Sequence, residues 1–224
     1  IDVPPPPESG LPWGVRMMHK AVSPLRGGDL DFEGISCDEA GNRYVVSETH
    51  AAVLQVPPIG EPAWLKIDPA LVRQARGSGM LLHFNALFEG IAVNPQGTQL
   101  WLAAERERRG LLTLRKQQSV WNCEGGCVVM SEGGLEQPPA RLKAKAQQKD
   151  FADLALFDGK LFTLERMAYR ICRRTPATGA VERCWSFAND ALTDARRYNS
   201  GYGTAEALSL DAKGAWIGVD NGNH

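Results

Sequence analysis

The chain has 224 residues, of which 43% are apolar and 23% are charged, and its formal net charge is −1. This composition predicts a globular domain with a sizeable core, and the lack of a clustered basic excess argues against a nucleic-acid-binding protein. No apolar run approaches the length of a membrane-spanning helix, so we also expect no transmembrane segment.

The N-terminal residues predict an extended leader. The chain starts at Ile1 rather than at methionine, which suggests that a signal peptide has been removed and predicts a periplasmic or secreted protein. Four consecutive prolines, Pro4–Pro7, favour an extended conformation, and we assign residues 1–12 to a proline-rich leader. The following segment, Trp13–Val22, is predicted as a strand.

An internal repeat is the most informative feature of the sequence, because four segments can be laid over one another. In each segment an acidic residue opens a short apolar strand, a polar turn with glycine follows, and a second apolar strand ends in another acid. Turn residues of this kind are typical of β-hairpins. The opening acids are Glu33, Glu89, Asp153 and Glu206, and the closing acids are Glu48, Glu105, Glu165 and Asp220.

Further apolar segments extend these hairpins into larger sheets. Third strands are predicted at Ala51–Val56, Gly110–Arg115 and Tyr169–Arg174, and fourth strands at Ala63–Ile67 and Val181–Phe187. Four antiparallel strands make the blade of a β-propeller, which hides its sheet edges by packing the blades radially. We therefore predict an all-β fold, with one β-propeller domain of four-stranded antiparallel blades over residues 13–224. Four blades are evident, five or six are compatible with the sequence, and we expect the last blade to be C-terminally incomplete.

Two insertions between the repeated units predict short helices. The first is Asp68–Arg76, in which Asp68 suits the N-cap and Pro69 suits the first helical position. The second is Asn189–Tyr198.

Four of the five cysteines predict two disulfides. Cys172 and Cys184 flank a predicted hairpin turn, so their thiols should face each other if a strand lies on each side of it. Cys123 and Cys127 enclose a short loop with two glycines. Disulfides would fit an oxidising compartment, and the alternative is free cysteines in an all-β core. Cys37 is left over, and we expect it to be buried.

The order of these motifs resembles a known family. The motifs that carry the resemblance are Phe32-Glu33-Gly34-Ile35, a later strand ending in glutamate, Glu105-Arg106, Leu164-Glu165-Arg166 and Asp220-Asn221-Gly222. They are similar to the bacterial proteins described as the "esterase-like activity of phytase", or phytase-like, family, over most of the chain from Leu30 to Gly222. The resemblance implies a secreted or periplasmic propeller with an esterase or phosphatase activity, and it does not define a substrate.

The opening acids are the first candidates for function. The first strand of each propeller blade lines the central channel, so these carboxylates should converge and need a counter-charge. Calcium is the natural counter-charge because hard cations prefer oxygen ligands, with magnesium second. The alternatives are an arginine, or a structural role in which each acid accepts backbone N–H groups. The predicted metal ligands are Glu33, Glu89, Asp153 and Glu206.

The closing acids are predicted to lie in the seams between blades. Successive residues on a strand point to opposite faces, so Glu105 and Arg106 should point apart and pair with residues of adjacent blades. The alternative is that Arg106, Arg166 and His50 approach the channel mouth and bind an anionic substrate. The other closing acids in this second group of candidates are Glu48, Glu165 and Asp220.

Two functions of different classes follow from these patterns. The first is a metal-dependent hydrolase in which a metal-activated water attacks a small anionic or ester substrate. The second is a non-catalytic propeller that binds a protein, peptide or glycan at one face. We assign no catalytic residue, because the sequence has neither a G-x-S-x-G motif nor two histidines at metal-ligand spacing. We expect a monomer without a nucleic-acid partner.

Overall fold

The computed structural model describes residues 2–22, 30–198 and 201–221, with the backbone alone at residues 19–22. Antiparallel sheets recur along the chain, and each of the four predicted hairpins forms the inner part of one sheet. The inner strands of successive sheets pack against one another. The fold is thus a β-propeller with four-stranded antiparallel blades, as predicted. Gly222, which ends the closing motif, lies outside the described residues.

The first regular element is a helix that lies outside the blades. α1 spans Trp13–Val22, so the strand predicted at these residues is wrong. Val15 packs against the core, whereas Met17 and Met18 are exposed. The strand prediction failed because methionine, arginine, lysine and alanine, which fill half of this segment, favour a helix over a strand.

Blade 1 is a four-stranded antiparallel sheet with its strands in chain order. It consists of β1 (Phe32–Cys37), β2 (Arg43–Ser47), β3 (Ala52–Val56) and β4 (Ala63–Trp64). The predicted fourth strand over 63–67 is divided into two parts. β4 pairs with β3, whereas β5 (Lys66–Ile67) joins the next sheet as a parallel edge strand.

A helix connects blades 1 and 2. α2 spans Ala70–Gly77, and the backbone N–H of Ala70 donates to Asp68 Oδ1 at 2.8 Å, which is the contact expected of the predicted cap. Leu71, Val72 and Ala75 are buried in the core that blades 1 and 2 share. The helix therefore closes the outer side of this core.

Blade 2 is the largest sheet. It consists of β6 (Phe88–Val93), β7 (Gln99–Ala104), β8 (Arg108–Gln117), β9 (Val120–Asn122) and β10 (Val128–Gly133), with β5 beside β9. β8 is long enough to pair with β9 near one end and with β10 near the other. The Cys123–Cys127 disulfide closes the loop between β9 and β10, as predicted.

Blade 3 again has four strands in chain order. A two-stranded sheet, formed by β11 (Leu135–Glu136) and β12 (Gln147–Gln148), precedes it. The blade consists of β13 (Asp153–Phe157), β14 (Lys160–Glu165), β15 (Arg170–Arg174) and β16 (Val181–Ser186). Cys172 and Cys184 lie opposite each other on β15 and β16 and form the second predicted disulfide.

The segment after blade 3 is less regular than predicted. It contains α3 (Ala188–Ala191), a 3₁₀ turn (Asp194–Arg196), β17 (Arg197–Tyr198) and β18 (Gly201–Tyr202), in place of one helix over 189–198. Blade 4 follows and has two strands in the described part of the chain, β19 (Thr204–Asp211) and β20 (Gly214–Asp220). No helix among the described residues is both long and apolar enough to span a membrane.

Glycines allow the inner strands to approach closely. A Cβ atom on Gly34 would lie 2.6 Å from the carbonyl oxygen of Glu89, and one on Gly90 would lie 2.6 Å from the backbone nitrogen of Leu154. These distances are too short for any side chain, so glycine is required where β1 crosses β6 and where β6 crosses β13. The glutamates that precede these glycines are thereby brought to neighbouring positions.

Cys37 is exposed at the end of β1, which contradicts its predicted burial. Val93 holds the corresponding position in β6 and is buried in the core shared by blades 1 and 2. Within the described residues, no further blade covers the equivalent face of blade 1. The burial of this position therefore depends on a neighbouring blade, not on the residue type.

Candidate functional site

Seven carboxylates line one open cavity of about 390 Å³, at the end of the inner strands where the opening and closing acids lie. The lining residues are Asp31, Glu33, Glu48, Asn85, Glu89, Glu105, Arg106, Arg166, Glu206 and Asp220. Three of the four opening acids and three of the four closing acids are among them. The structure therefore brings most members of the two predicted groups into a single acidic cavity. This corrects the prediction that Glu48, Glu105 and Asp220 lie apart from the opening acids in the seams.

Irregular strand pairing accompanies each opening glutamate of this cavity. The pairing of β6 with β7 skips Glu89, that of β19 with β20 skips Glu206, and that of β1 with β2 shifts around Glu33. Such β-bulges turn a side chain out of the regular alternation and are common beside functional sites. The bulges explain how three separate blades direct a glutamate to the same cavity.

Blade 3 departs from this arrangement by one residue. The equivalent residue pairs of the four inner hairpins are Ile35–Val45, Ile91–Leu102, Leu154–Thr163 and Leu208–Ile217. By this alignment Ala152 takes the place of an opening acid, and Arg166 takes the place of a closing acid. A shift of one residue reverses the face that a side chain occupies. The structure thus corrects the prediction that Asp153 lines the channel, and it leaves Glu165 outside the cavity as well.

Asp153 connects blades 3 and 4 from a buried position. Its Oδ1 accepts the backbone N–H of Leu154 and its Oδ2 accepts that of Leu208, each at 2.7 Å. Burial raises the pKa of Asp153 to about 7, against the lowering effect of these two N–H donors. The contacts match the structural alternative for an opening acid, in which the carboxylate accepts backbone N–H groups.

The titration of Asp153 gives a testable pH dependence. Its pKa in the folded protein is raised, so its contribution to stability should fall as the pH rises from about 4 to 8, by up to about 4 kcal/mol. Asp153→Asn does not titrate. We expect the free energy of unfolding of the wild type, minus that of the variant, to decrease across this range in urea titrations. A difference that is constant or increases with pH would contradict the assignment.

Glu165 lies in the seam between blades 2 and 3, within a cluster of arginines. Its Oε2 pairs with Arg109 of β8 at 3.0 Å and with Arg170 at 2.6 Å, and its Oε1 pairs with Arg174 at 2.7 Å. Arg109 and Arg174 also stack on the ring of Phe151, with guanidinium carbons 4.3 and 5.0 Å from its centroid. These cations lower the pKa of Glu165. This is the seam position that we predicted for closing acids.

Arg166 links three blades at the floor of the cavity. Its Nε donates to Asp150 Oδ2 at 2.6 Å, its Nη2 contacts Glu105 of blade 2, and its Nη1 contacts Glu206 of blade 4. Its side chain is 8% exposed. Arginine is therefore a counter-charge for part of the acidic group, as one of the alternatives proposed.

Glu105 and Arg106 contact each other, which contradicts the prediction that they point apart. Arg106 Nη1 binds Glu105 Oε1, and its Nη2 donates to the carbonyl oxygen of Asn85 at 2.8 Å. The prediction assumed strand alternation, but β7 ends at Ala104 and the chain then turns. The other oxygen of Glu105, Oε2, is buried and has no hydrogen-bond partner.

Burial and mutual repulsion raise the pKa values of the cavity acids. Burial, followed by the neighbouring Asp31 carboxylate, raises the pKa of Glu33 to about 7. Burial is also the main reason that the pKa values of Glu48, Glu89 and Glu105 are raised, although Arg166 opposes the shift at Glu89 and Glu105. These shifts favour the protonated form of the cavity acids, so the acids can be ionised together only if a further cation neutralises them.

Two groups of three carboxylates have the spacing of metal ligands. One carboxylate oxygen from each of Asp31, Glu33 and Glu48 lies within 4.8 Å of the other two, and the same holds for Glu48, Glu89 and Glu105. Calcium binds carboxylate oxygens at about 2.3–2.6 Å, so oxygens on one ion are at most about 5 Å apart. Both groups can therefore hold a divalent cation.

His50 lies away from the acidic cavity. It lines a separate cavity with Pro7, Trp64 and Lys66, and its ring centroid is 6.4 Å from that of Trp64. Ser47 Oγ is 3.3 Å from its Nδ1. The hypothesis that His50 joins the two arginines at the channel mouth is wrong, because the turn after Glu48 carries the chain toward the leader.

Three residues of the site and its support were missed in the sequence. Asp31 lines the cavity, Asp150 holds Arg166, and Asn85 supplies a carbonyl oxygen to Arg106. A signal for the two aspartates exists, because both directly precede the phenylalanine that opens a repeat unit. Asn85 lies in a connecting segment that shows no repeat.

Solved structures of similar fold have low sequence identity to the chain. The glutaminyl cyclase of Myxococcus xanthus is 11% identical, with 85% of this chain and 62% of that chain covered and a TM-score of 0.44. The WD40 β-propeller domain of Doa1 is 8% identical, with 87% and 53% covered and a TM-score of 0.41. The PQQ-bound aldose sugar dehydrogenase of Streptomyces coelicolor is 13% identical, with 84% and 56% covered and a TM-score of 0.48. The chain thus spans 53–62% of the length of these three proteins.

The match to a family is more specific. No curated protein matches the chain. The model of the phytase-like family, described as "Esterase-like activity of phytase", matches residues 14–167. This range contains blades 1 and 2 and the two inner strands of blade 3, together with two of the three opening glutamates of the cavity and both of its arginines. Since the match covers well over half of the sequence, the chain belongs to the phytase-like family.

Proposed function

We propose that this protein is a secreted or periplasmic hydrolase of esters or phosphoesters, which acts at the acidic cavity with a divalent cation of the calcium type. The observation that carries the proposal is the charge of the cavity, in which seven carboxylates face two guanidinium groups. The family description, which names an esterase-like activity, supports the reaction class. The two disulfides support an oxidising compartment.

The chemistry of the donor set fits such a cation. The acids offer oxygen ligands, which calcium and magnesium prefer. Glu105 Oε2 is buried without a hydrogen-bond partner, a costly state for a carboxylate oxygen unless a cation or proton satisfies it. Asp31, Glu33, Glu48, Glu89 and Glu105 are the residues that would hold the cation. Bound there, it would polarise the ester and lower the pKa of a water molecule.

Other residues of the cavity supply binding and proton transfer in this proposal. Arg106 is 32% exposed and has a planar, permanently charged group, so it is suited to bind an anionic substrate. Glu206 is 38% exposed and lies outside the two metal-ligand groups. Its pKa is raised by burial, although Arg166 lowers it, and it accepts the proton of the attacking water.

Hydrolysis assays test this function. The full chain is mixed with p-nitrophenyl phosphate or p-nitrophenyl acetate in calcium, magnesium or EDTA, and release of p-nitrophenol is followed. We expect turnover of at least one substrate with a divalent cation and its loss in EDTA. Glu206→Gln should lower kcat by about 10²–10⁴-fold, because it removes the proton acceptor.

Glu182→Gln is the matched control, since Glu182 lies on the outermost strand of blade 3, where it pairs with Lys160 and Arg173 and is not among the cavity-lining residues. It should leave kcat unchanged. No turnover of either substrate with any cation, at matched folding by circular dichroism, would refute the hydrolase.

A second candidate function is non-catalytic binding of a protein, peptide or glycan. A cleft of about 440 Å³ between blades 3 and 4 is lined by Tyr169, Trp185, Phe187 and Trp216. The side chain of Trp216 is 60% exposed. Exposed aromatic rings are typical of binding sites. Trp216→Ala should then weaken ligand binding while hydrolysis at the acidic cavity is unaffected.

A further inference from the structure

The acidic cavity contains two metal-ligand groups instead of one, and they share a residue. The first group is Asp31, Glu33 and Glu48, and the second is Glu48, Glu89 and Glu105. We propose that the cavity binds two divalent cations, bridged by the carboxylate of Glu48. This inference rests on the proposed function, which requires at least one cation.

The backbone fixes Glu48 between the two groups. The N–H of Leu87 donates to Glu48 Oε1 at 3.1 Å, in a buried contact between blade 1 and the segment that leads into blade 2. Glu48 is buried, with 3% of the residue exposed. A carboxylate held in this way has little freedom to turn, and it can offer one oxygen to each of two ions.

Glu105 provides an independent indication of a ligand in the second group. Its side chain is 2% exposed, and both arginines of the cavity bind the same oxygen, Oε1. Oε2 is left buried without a hydrogen-bond partner. A cation at Oε2 would satisfy this buried oxygen while both guanidinium groups stay on Oε1.

A bridged pair of cations also has a consequence for ligand chemistry. Two divalent cations that share a carboxylate ligand are suited to bind a tetrahedral oxyanion, since two oxygens of the anion can each face one cation. We therefore expect the doubly loaded protein to bind inorganic phosphate, and the metal-free protein, which lacks the two ions, to bind none.

Counting the bound ions tests the inference. Isothermal titration of the full, EDTA-treated chain with calcium, together with native mass spectrometry, should give two equivalents per chain. Glu33→Gln and Glu89→Gln should each retain one equivalent. Glu48→Gln should weaken both, by about 10–100-fold or more, because it removes the shared ligand. Glu182→Gln, on the far side of blade 3, should retain two equivalents.

The outcomes separate this inference from the proposed function. One equivalent in the wild type, abolished alike by Glu33→Gln and Glu89→Gln, would overturn the two-cation centre and leave a single-cation hydrolase intact. No bound calcium or magnesium in either measurement would overturn both. Two equivalents with an unaltered Glu48→Gln variant would overturn the bridge. Thermal melts of each metal-free variant verify folding, and removal of one carboxylate from an acidic cavity should not lower the melting temperature.

Discussion

Arg166→Met is expected to lower the free energy of unfolding by about 3–5 kcal/mol, measured by urea titration in EDTA at neutral pH. The substitution removes the guanidinium group that binds Asp150, Glu105 and Glu206. The side chains of Asp150 and Glu105 are 1% and 2% exposed, so water cannot replace the lost partner. An uncompensated buried charge is the physical source of this large effect.

Arg106→Met is the matched control. Arg106 also binds Glu105, but its side chain is 32% exposed, and Glu105 keeps its contact with Arg166 in the variant. We expect a loss of at most about 1 kcal/mol, as for a surface ion pair. Equal losses in the two variants would show that Arg166 does not act as the central counter-charge. Calcium should stabilise Arg166→Met more than the wild type, because the variant cavity is more negative.

Glu165→Gln is expected to have a second large effect, also about 3–5 kcal/mol. Glu165 is 1% exposed and pairs with Arg109, Arg170 and Arg174. Arg109 and Arg174 are buried too, and both stack on one phenylalanine ring at the seam between blades 2 and 3. Loss of this charge therefore leaves buried Arg174 without its carboxylate partner, and it leaves Arg109 and Arg170 with only their pairs to Glu132 and Glu136.

The pH dependence of this effect can be derived from the lowered pKa of Glu165. A carboxylate with a lowered pKa stabilises the fold above its ordinary pKa, and it loses this contribution as the pH falls through the folded-state value. The difference between wild type and Glu165→Gln should thus be largest near neutral pH and shrink in acid. Glu182→Gln, a surface glutamate with its own lysine and arginine partners, should show a small effect at every pH. An equal effect for both variants would contradict the seam assignment.

The repeated hairpins could be predicted because their signals are local. Apolar strands, glycine-containing turns and the spacing of Cys172 and Cys184 involve neighbouring residues, and the structure confirms the hairpins and that disulfide. The acids of blades 1, 2 and 4 reach one cavity because the repeat carries the same register in each of those blades. For these elements, the residue pattern is sufficient.

Blade 3 shows where the local pattern fails. Asp153 and Glu165 satisfy the acid-bounded motif, but the pairing of Leu154 with Thr163 sets both one residue away from the cavity positions. Arg166 occupies the closing position instead. The register of a strand is decided by its hydrogen bonds to a neighbouring strand. A sequence motif that still matches when an acid is shifted by one residue does not predict that register.

The acid-bounded hairpin, the propeller built from it and the two disulfides were thus determined by the sequence alone, since each depends on residues close together in the chain. The tertiary structure decided which acids share a cavity, which carboxylates each arginine binds and why Cys37 is exposed. These properties depend on bulges and on packing between blades, which bring together residues such as Glu48 and Leu87, 39 positions apart. Contacts between blades leave no periodic signal along the chain, and so they appear first in the folded protein.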